Sequence, residues 1–437
     1  MRAWGRTGEL APAMLAVLLL VISWPTAMKL GGPAAASGYG LGLAVTTLVL
    51  LPSAADLLRR APTWVLPSLV AVCVVGLAAA FVLGFPPTYG EVMGVGSDRA
   101  DALDVALSRL ADGLYPYTGT TYLGNPITPL PGALLLAAPF HAITGHAAWQ
   151  NVAWTLLLLP VLNAGRRLRP RPTVLWALTV LGGLEVLRQF VIGDDLVTGA
   201  VPAVAATAWT LRAAAGGSTR VLVVAGVAMG VATCTRPHMA LVVVVVVVAV
   251  AVASERRRAV VVGVSAGLVW AALIVPFLVG GVARFSPLHV AAKVTGDRAV
   301  TTGIVVVALG AVAMLVVALR LAPPSSALGV GWFCAAVLFA PTLLSLARRV
   351  TTGSIADLTL GAAAVPFAVW AVASGSGRSR DGRPEWSAPG VPTGALSAGD
   401  HGRWGRPGCE PSPCGMQGGQ RVERVIAAPI ARPSATP

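Results

Sequence analysis

The sequence predicts an all-α membrane protein that crosses the bilayer about twelve times. Of its 437 residues, 56% are apolar and only 11% are charged, which excludes a soluble globular protein. The apolar residues form repeated runs of about 15–23, the length that a helix needs to cross a bilayer. A closed β-barrel would show short alternating segments instead of polyvaline and polyleucine blocks.

The basic loops set the predicted orientation, because Arg-rich loops are retained in the cytoplasm. Arg59 and Arg60, the segment 166–171 and the segment 256–258 all fall inside, with both termini cytoplasmic, in a multi-pass protein of the cell membrane. The twelve predicted spans are 11–28, 41–55, 63–83, 147–163, 173–190, 197–211, 221–235, 240–253, 260–280, 302–319, 329–347 and 355–373.

One further apolar segment, 131–143, is predicted not to cross. If it crossed, the basic segment 166–171 would lie outside, against the charge rule. The segment is short, contains Pro139 and has His141 near its end and His146 just after it. It is therefore predicted to be an interfacial or re-entrant helix.

Two regions follow from this topology. Residues 1–374 form the transmembrane domain, with a long extracytoplasmic loop at 85–146. Residues 375–437 are rich in Gly, Pro, Arg and Ser and are predicted to be a disordered cytoplasmic tail. The excess of Arg over Lys reflects coding bias and gives no indication of nucleic-acid binding; the net charge of +14 fits contact with anionic membrane lipid.

The acidic residues are concentrated on the predicted outer side. Thirteen of them precede the tail, and all but Glu9, Asp56 and Glu255 fall outside. Because Asp and Glu barely influence insertion, this distribution needs another cause, and a working site on the outer face would be one.

The loop begins with a predicted amphipathic helix at 98–111, capped by Ser97. Its apolar face carries Leu103, Ala106, Leu107 and Leu110, as in a helix lying on the membrane surface. Asp98, Asp101 and Asp104 either cap and solvate this helix or supply chemistry. In the second interpretation Asp98 is a general base, made more basic by partial desolvation at the water–lipid boundary.

Other polar residues are candidates for binding an acceptor or a sugar. Tyr115 and Tyr117 either stack on a sugar face or belong to an interfacial aromatic belt. Asn125 opens the Pro-rich segment that follows them. Asp194 and Asp195 form a solvated turn, bind hydroxyl groups or hold a divalent cation, the last being the weakest because no second carboxylate cluster is fixed nearby. No metal or other cofactor is required.

Cationic residues on the outer side are candidates for binding a lipid phosphate. Arg236 lies between two short apolar runs, where a charge is costly unless it faces a cavity, and its forked donors suit phosphate. The alternative is an arginine that snorkels to the lipid headgroups. His238 and Arg348 are weaker candidates, and for Arg348 bulk lipid contact is the simpler explanation.

The loop motifs resemble those of a known superfamily. These motifs are Asp98, then Gly113-Leu-Tyr115-Pro-Tyr117, then Asn125-Pro126 and Pro129-Leu130-Pro131-Gly132, then Ala138-Pro139-Phe140. They resemble the first extracytoplasmic loop of the GT-C glycosyltransferases that use polyprenyl-phosphate sugars, above all the actinobacterial mannosyltransferases. The resemblance implies that Asp98 is the catalytic base and that Arg236 contacts the phosphate of the lipid donor.

The sequence therefore leads to a glycosyltransferase hypothesis. The donor would be a polyprenyl-phosphate sugar, with mannose as the candidate, and the acceptor a lipid-linked or cell-wall glycan on the outer face. A strand followed by a Gly-rich phosphate loop is missing from the sequence, which agrees with a lipid-phosphate donor. The alternatives are a multi-pass transporter or flippase, and a catalytically inactive relative.

Overall fold

The computed structural model describes residues 7–88, 97–165, 167–288, 326–352 and 358–375. The predicted span 302–319 and nearly all of the predicted tail lie outside the described residues. Over the described part of the chain the secondary structure is helical, apart from one isolated bridge between Thr120 and Pro126. The α-helical fold class is therefore confirmed there.

Fourteen α-helices are described. They are α1 (Thr7–Val45), α2 (Leu51–Arg60), α3 (Val65–Thr88), α4 (Asp98–Ala111), α5 (Pro131–Thr144), α6 (Gln150–Leu162), α7 (Pro170–Ala177), α8 (Leu184–Val191), α9 (Leu196–Gly216), α10 (Thr219–Thr233), α11 (Ala240–Ala253), α12 (Arg256–Val279), α13 (Ala327–Thr352) and α14 (Val365–Ser374).

Within the described residues, three helical segments are long and apolar enough to cross a membrane. They are Leu10–Arg60, Val65–Pro86 and Arg256–Val279, and the bent pair of α7 and α8 would make a fourth. The other apolar helices in the described residues, α5 among them, are shorter. The helices thus support membrane association, whereas the count of twelve spans stays a prediction.

Helix α1 contains the turn between the first two predicted spans, 11–28 and 41–55. Gly32 has a left-handed backbone with φ of 66°, which residues with a side chain rarely adopt. After this turn the chain folds back on itself, and the Tyr39 hydroxyl donates to the Ser23 hydroxyl over 3.2 Å. The two predicted spans are therefore arms of one helical hairpin.

The predicted span 173–190 is sharply bent in the structure. A π-helical turn at Leu178–Gly182 ends at Gly183, whose backbone is extended, and α8 then leaves at an angle of 70° to the preceding helix. The break brings Glu185 and Arg188 into the protein, where the Arg188 guanidinium donates to both carboxylate oxygens over 2.7 and 2.9 Å. Apolar periodicity does not reveal such a break.

Helix α9 forms the centre of the core, with most of its residues buried against α6, α10 and α14. Residues 365–373 of α14 are likewise buried throughout. The loop after α3 builds a second, smaller apolar cluster, in which Tyr117, Ile127 and Phe285 meet α4 and α5. This cluster packs the middle of α4 against α5, whereas Ala100, in the first turn of α4, is buried in the main core.

Close packing of α10 on α12 depends on a small residue. A Cβ atom at Gly230 would lie 2.7 Å from Val269 Cβ and 2.8 Å from the Ala266 carbonyl oxygen. We expect Gly230→Val to lower the free energy of unfolding by about 1–3 kcal/mol through overpacking. Thermal unfolding in detergent measures this, and Gly267→Val is the control because Gly267 of α12 has open space around it. Equal unfolding midpoints for the two variants would contradict this packing.

Candidate active site

The carboxylate of Asp98 is held at the start of α4 by two donors from the following loop. Its Oδ2 atom accepts hydrogen bonds from the Thr121 hydroxyl (2.9 Å) and the Asn125 side-chain amide (2.7 Å). Ser97 is the N-cap, as predicted, and its hydroxyl accepts from the Arg99 backbone N–H over 3.3 Å. The structure thus brings together two sequence candidates, Asp98 and Asn125.

A tight turn sets the position of these donors. The Thr121 N–H donates to the Asn125 carbonyl over 2.9 Å, and the Asn125 N–H donates to the Thr121 hydroxyl over 3.2 Å. Gly124 within the turn has φ of 75°, a conformation that favours glycine. The turn therefore presents both side chains to one carboxylate oxygen.

Asp101 anchors the same turn from the next turn of α4. Its Oδ2 atom accepts from the Tyr122 backbone N–H over 2.8 Å. Burial raises the pKa of Asp101, the Tyr122 N–H opposes this, and the neighbouring carboxylates of Asp104 and Asp98 raise it further. Its contacts in the structure hold the loop.

The predicted helix 98–111 is present, but its apolar face does not lie on lipid. Leu103, Ala106 and Leu107 are buried in the cluster with α5 and the loop, and only Leu110 of this face is exposed. The prediction of a membrane-surface helix is wrong in this respect. A protein neighbour, which apolar periodicity cannot distinguish from lipid, covers the face.

The two candidate tyrosines pack against aromatic neighbours. Tyr117 is buried between Phe277 and Phe285, and burial raises the pKa of its hydroxyl. The half-buried Tyr115 donates its hydroxyl proton to the Phe277 carbonyl over 2.8 Å. Both rings serve packing in this structure, and a sugar contact for Tyr115 or Tyr117 stays a prediction.

Asp194 and Asp195 are buried, which excludes the interpretation of a solvated turn. Their side chains are only 1% and 5% exposed. The Asp194 carboxylate pairs with the Arg99 guanidinium and also accepts from the Leu196 N–H over 3.1 Å. Asp195 Oδ1 pairs with Arg236 Nη2 over 2.6 Å.

Arg236 lies at the turn between α10 and α11, as predicted. Besides its ion pair, its Nη1 donates to the Thr128 hydroxyl over 3.2 Å. Its Nε atom and the Nε2 atom of His238 are buried and have no hydrogen-bond partner in the described ranges. Each such group costs about 1–3 kcal/mol unless a partner satisfies it. A ligand oxygen within hydrogen-bond distance of either atom would provide that partner.

His238 is neutral at pH 7. Burial and, as the smaller cause, the adjacent Arg236 charge together lower its pKa to about 4. A neutral imidazole can donate one hydrogen bond without adding a second buried charge. Arg348 lies near the end of α13, and its side chain is outside the described part of the structure.

The ion pairs connect the two halves of the predicted site. Arg99 follows Asp98 directly, Asp194 and Asp195 are adjacent, and Arg236 closes the series. The sequence interpretation missed Arg99, although a cation in the first turn of a helix opposes the helix dipole and so signals a carboxylate partner. It also missed Thr121 and Thr128, which carry no signal of their own.

Comparisons with protein-family models, with characterised proteins and with solved structures give no match. The described residues contain no group of three or more His, Cys, Asp or Glu side chains arranged to hold a metal ion. The geometry of the site and the resemblance of the loop motifs are therefore what indicates the function.

Proposed function

We propose that this chain is a membrane glycosyltransferase that uses a polyprenyl-phosphate sugar, with mannose as the candidate sugar. The acceptor is a lipid-linked or cell-wall glycan on the outer face. One observation carries the proposal: the Arg99–Asp194 and Asp195–Arg236 ion pairs connect the first turn of α4, which begins at Asp98, to the largely buried Arg236. A general base and a phosphate-binding cation are the two parts that this reaction needs.

Asp98 is the base in this proposal. Thr121 and Asn125 both bind its Oδ2 atom, and its Oδ1 atom accepts no hydrogen bond within the described residues. Oδ1 is therefore available to an acceptor hydroxyl group. The two donors fix the orientation of the carboxylate, so that the acceptor proton moves to a group that is already in place.

Arg236 and His238 bind the phosphate that leaves. When the bond between the sugar and the phosphate breaks, negative charge increases on the phosphate oxygen. The Nε atom of Arg236 and the Nε2 atom of His238 are buried and lack partners in the structure as described. We infer that both donate hydrogen bonds to this phosphate oxygen. The ion pair with Asp195 holds the guanidinium in place.

Sugar transfer in isolated membranes tests this function. Membranes with and without the chain receive radiolabelled polyprenyl-phosphate mannose, and label in the lipid and glycan fractions is measured. The expected result is incorporation that depends on the chain. If membranes containing the folded chain incorporate no more label than membranes without it, this donor assignment is wrong.

The topology gives a separate prediction. Leu123, beside Asn125 and 59% exposed, should be labelled in intact cells when replaced by Cys, because the loop lies outside. Leu57→Cys, at a position 70% exposed beside the basic end of α2, should react only after permeabilisation. The tail cysteines Cys409 and Cys414 are replaced by Ser in both variants. Labelling of Leu123→Cys only after permeabilisation would place the loop in the cytoplasm.

One observation favours transport as a second candidate. The helix break at Gly183, with Glu185 fully buried beside Arg188, resembles the discontinuous helices that bind substrate in transporters. A transporter would move labelled polyprenyl phosphate between the leaflets of proteoliposomes without forming a glycosidic bond. Product formation without such movement would favour the transferase.

A further inference from the structure

A second polar cluster lies further along α4, around Asp104. The Asp104 carboxylate is buried, with 7% exposure, and its Oδ1 atom faces His141 Nδ1 over 2.8 Å. The Nε2 atom on the far side of the His141 ring lies 3.4 Å from the Ser108 hydroxyl oxygen. A carboxylate, an imidazole and a serine hydroxyl are thus in series.

The sequence puts these groups together through helix geometry. Asp104 and Ser108 are four residues apart on α4, so they share one face, and His141 comes from the neighbouring α5. The Ala147 N–H donates to Asp104 Oδ1 over 2.6 Å, and His146 Nδ1 lies 3.3 Å from Oδ2. With the carboxylate fixed in this way, Nδ1 of His141 carries the proton and Nε2 presents a lone pair to Ser108.

The series opens onto a groove of about 680 Å³. Ser108 is exposed in it, Val105 and Leu114 supply apolar wall, and Arg109 supplies a cation. The Arg109 guanidinium is held by the Tyr115 carbonyl (3.0 Å to Nε) and by Thr118 (2.7 Å to Nη2). These two contacts leave the Nη1 atom of Arg109 able to donate a hydrogen bond to a ligand oxygen.

We propose that Ser108 is a nucleophile for acyl transfer, with His141 as its general base, Asp104 as the residue that orients His141, and carboxylic esters as the substrate class. The roles and distances of the three groups carry the proposal, since such triads are recognised by geometry and not by sequence order. A spacing of 3.4 Å between nucleophile and base is common before substrate binds. The proposal does not depend on sugar transfer.

The proposed reaction has two steps. Ser108 Oγ forms a bond to the ester carbonyl carbon and gives its proton to His141 Nε2, and Arg109 stabilises the oxyanion. The bond to the leaving alcohol breaks, and His141 returns the proton to that alcohol oxygen. The oxygen of water or of an acceptor hydroxyl group then bonds to the acyl carbon and gives its proton to His141. The bond between that carbon and Ser108 Oγ breaks, and His141 returns the proton to Ser108 Oγ.

A fluorescent fluorophosphonate tests the proposal on the purified full-length chain in detergent. The Ser108 oxygen would bond to phosphorus, fluoride would leave, and the serine proton would pass to His141. We expect one adduct, located at Ser108 by peptide mass spectrometry. Ser108→Ala should remove the adduct, and His141→Gln should slow labelling about 100-fold or more.

The matched control is Ser53→Ala, which removes an exposed serine whose hydroxyl donates only to the Val49 carbonyl over 2.9 Å. This variant should be labelled like the unmodified chain. An unlabelled chain, an adduct that persists in Ser108→Ala, or an unchanged rate in His141→Gln would overturn the proposal. The last two outcomes would leave Asp104 and His141 as a clamp between α4 and α5.

Discussion

Asp98→Asn should reduce sugar transfer about 100- to 10,000-fold, the usual contribution of a general base. The amide has nearly the same size and keeps an oxygen that can accept from Thr121 or Asn125, so the turn should persist. It cannot take the proton of the acceptor hydroxyl group at neutral pH. The rate is measured with radiolabelled polyprenyl-phosphate mannose in membranes that contain equal amounts of folded protein.

Asp56→Asn is the control for this variant. The Asp56 side chain is 57% exposed and pairs with Arg59 on the predicted cytoplasmic side, far from the loop. Its transfer rate should stay within about twofold of the unmodified chain, because exposed ion pairs contribute little. A rate for Asp98→Asn equal to that of Asp56→Asn would remove Asp98 from the mechanism.

Arg236→Ala should have the largest effect on stability. It leaves the carboxylate of Asp195, only 5% exposed, buried without its counter-ion. Breaking one side of a buried ion pair typically costs about 3–5 kcal/mol. The unfolding midpoint in detergent should fall accordingly, and an unchanged midpoint would show that solvent or another group already neutralises Asp195.

A double variant separates stability from phosphate binding. Arg236→Ala combined with Asp195→Asn removes both charges, so much of the lost stability should return. Affinity for polyprenyl phosphate should not return, because the guanidinium donors are still missing. If the double variant transfers sugar at the normal rate, Arg236 supports the fold and does not bind the donor.

The sequence predicts those parts of the fold that depend on neighbouring residues. The predicted span 240–253 coincides with α11, and the helix capped by Ser97 runs over 98–111 as predicted. In both places a periodic or continuous apolar run ends at a clear polar or capping residue. The break at Gly183 has a local signal in the Gly182-Gly183 pair. The contacts of Glu185 with Ser23 and Thr26, in contrast, join residues that are distant in the sequence and have no local pattern.

In the candidate site, too, features set by neighbouring residues could be predicted and contacts between distant residues could not. Sequence reasoning singled out Asp98 and Arg236, because a carboxylate at a helix start and a charge between apolar runs are both unusual. It could not pair Arg99 with Asp194, which is 95 residues away. Whether Asp194 and Asp195 form a solvated turn or are buried in ion pairs depends on such pairings. These pairings are visible only in the three-dimensional structure.

The most direct test of the whole account measures binding and chemistry in the same purified preparations. The dissociation constant for polyprenyl phosphate and the single-turnover rate of sugar transfer are determined for the unmodified chain, for Asp98→Asn and for the double variant of Arg236 and Asp195. We predict that Asp98→Asn binds polyprenyl phosphate normally and transfers sugar about 100- to 10,000-fold more slowly, whereas the double variant binds polyprenyl phosphate weakly. Normal transfer by Asp98→Asn, or normal binding by the double variant, would contradict this prediction.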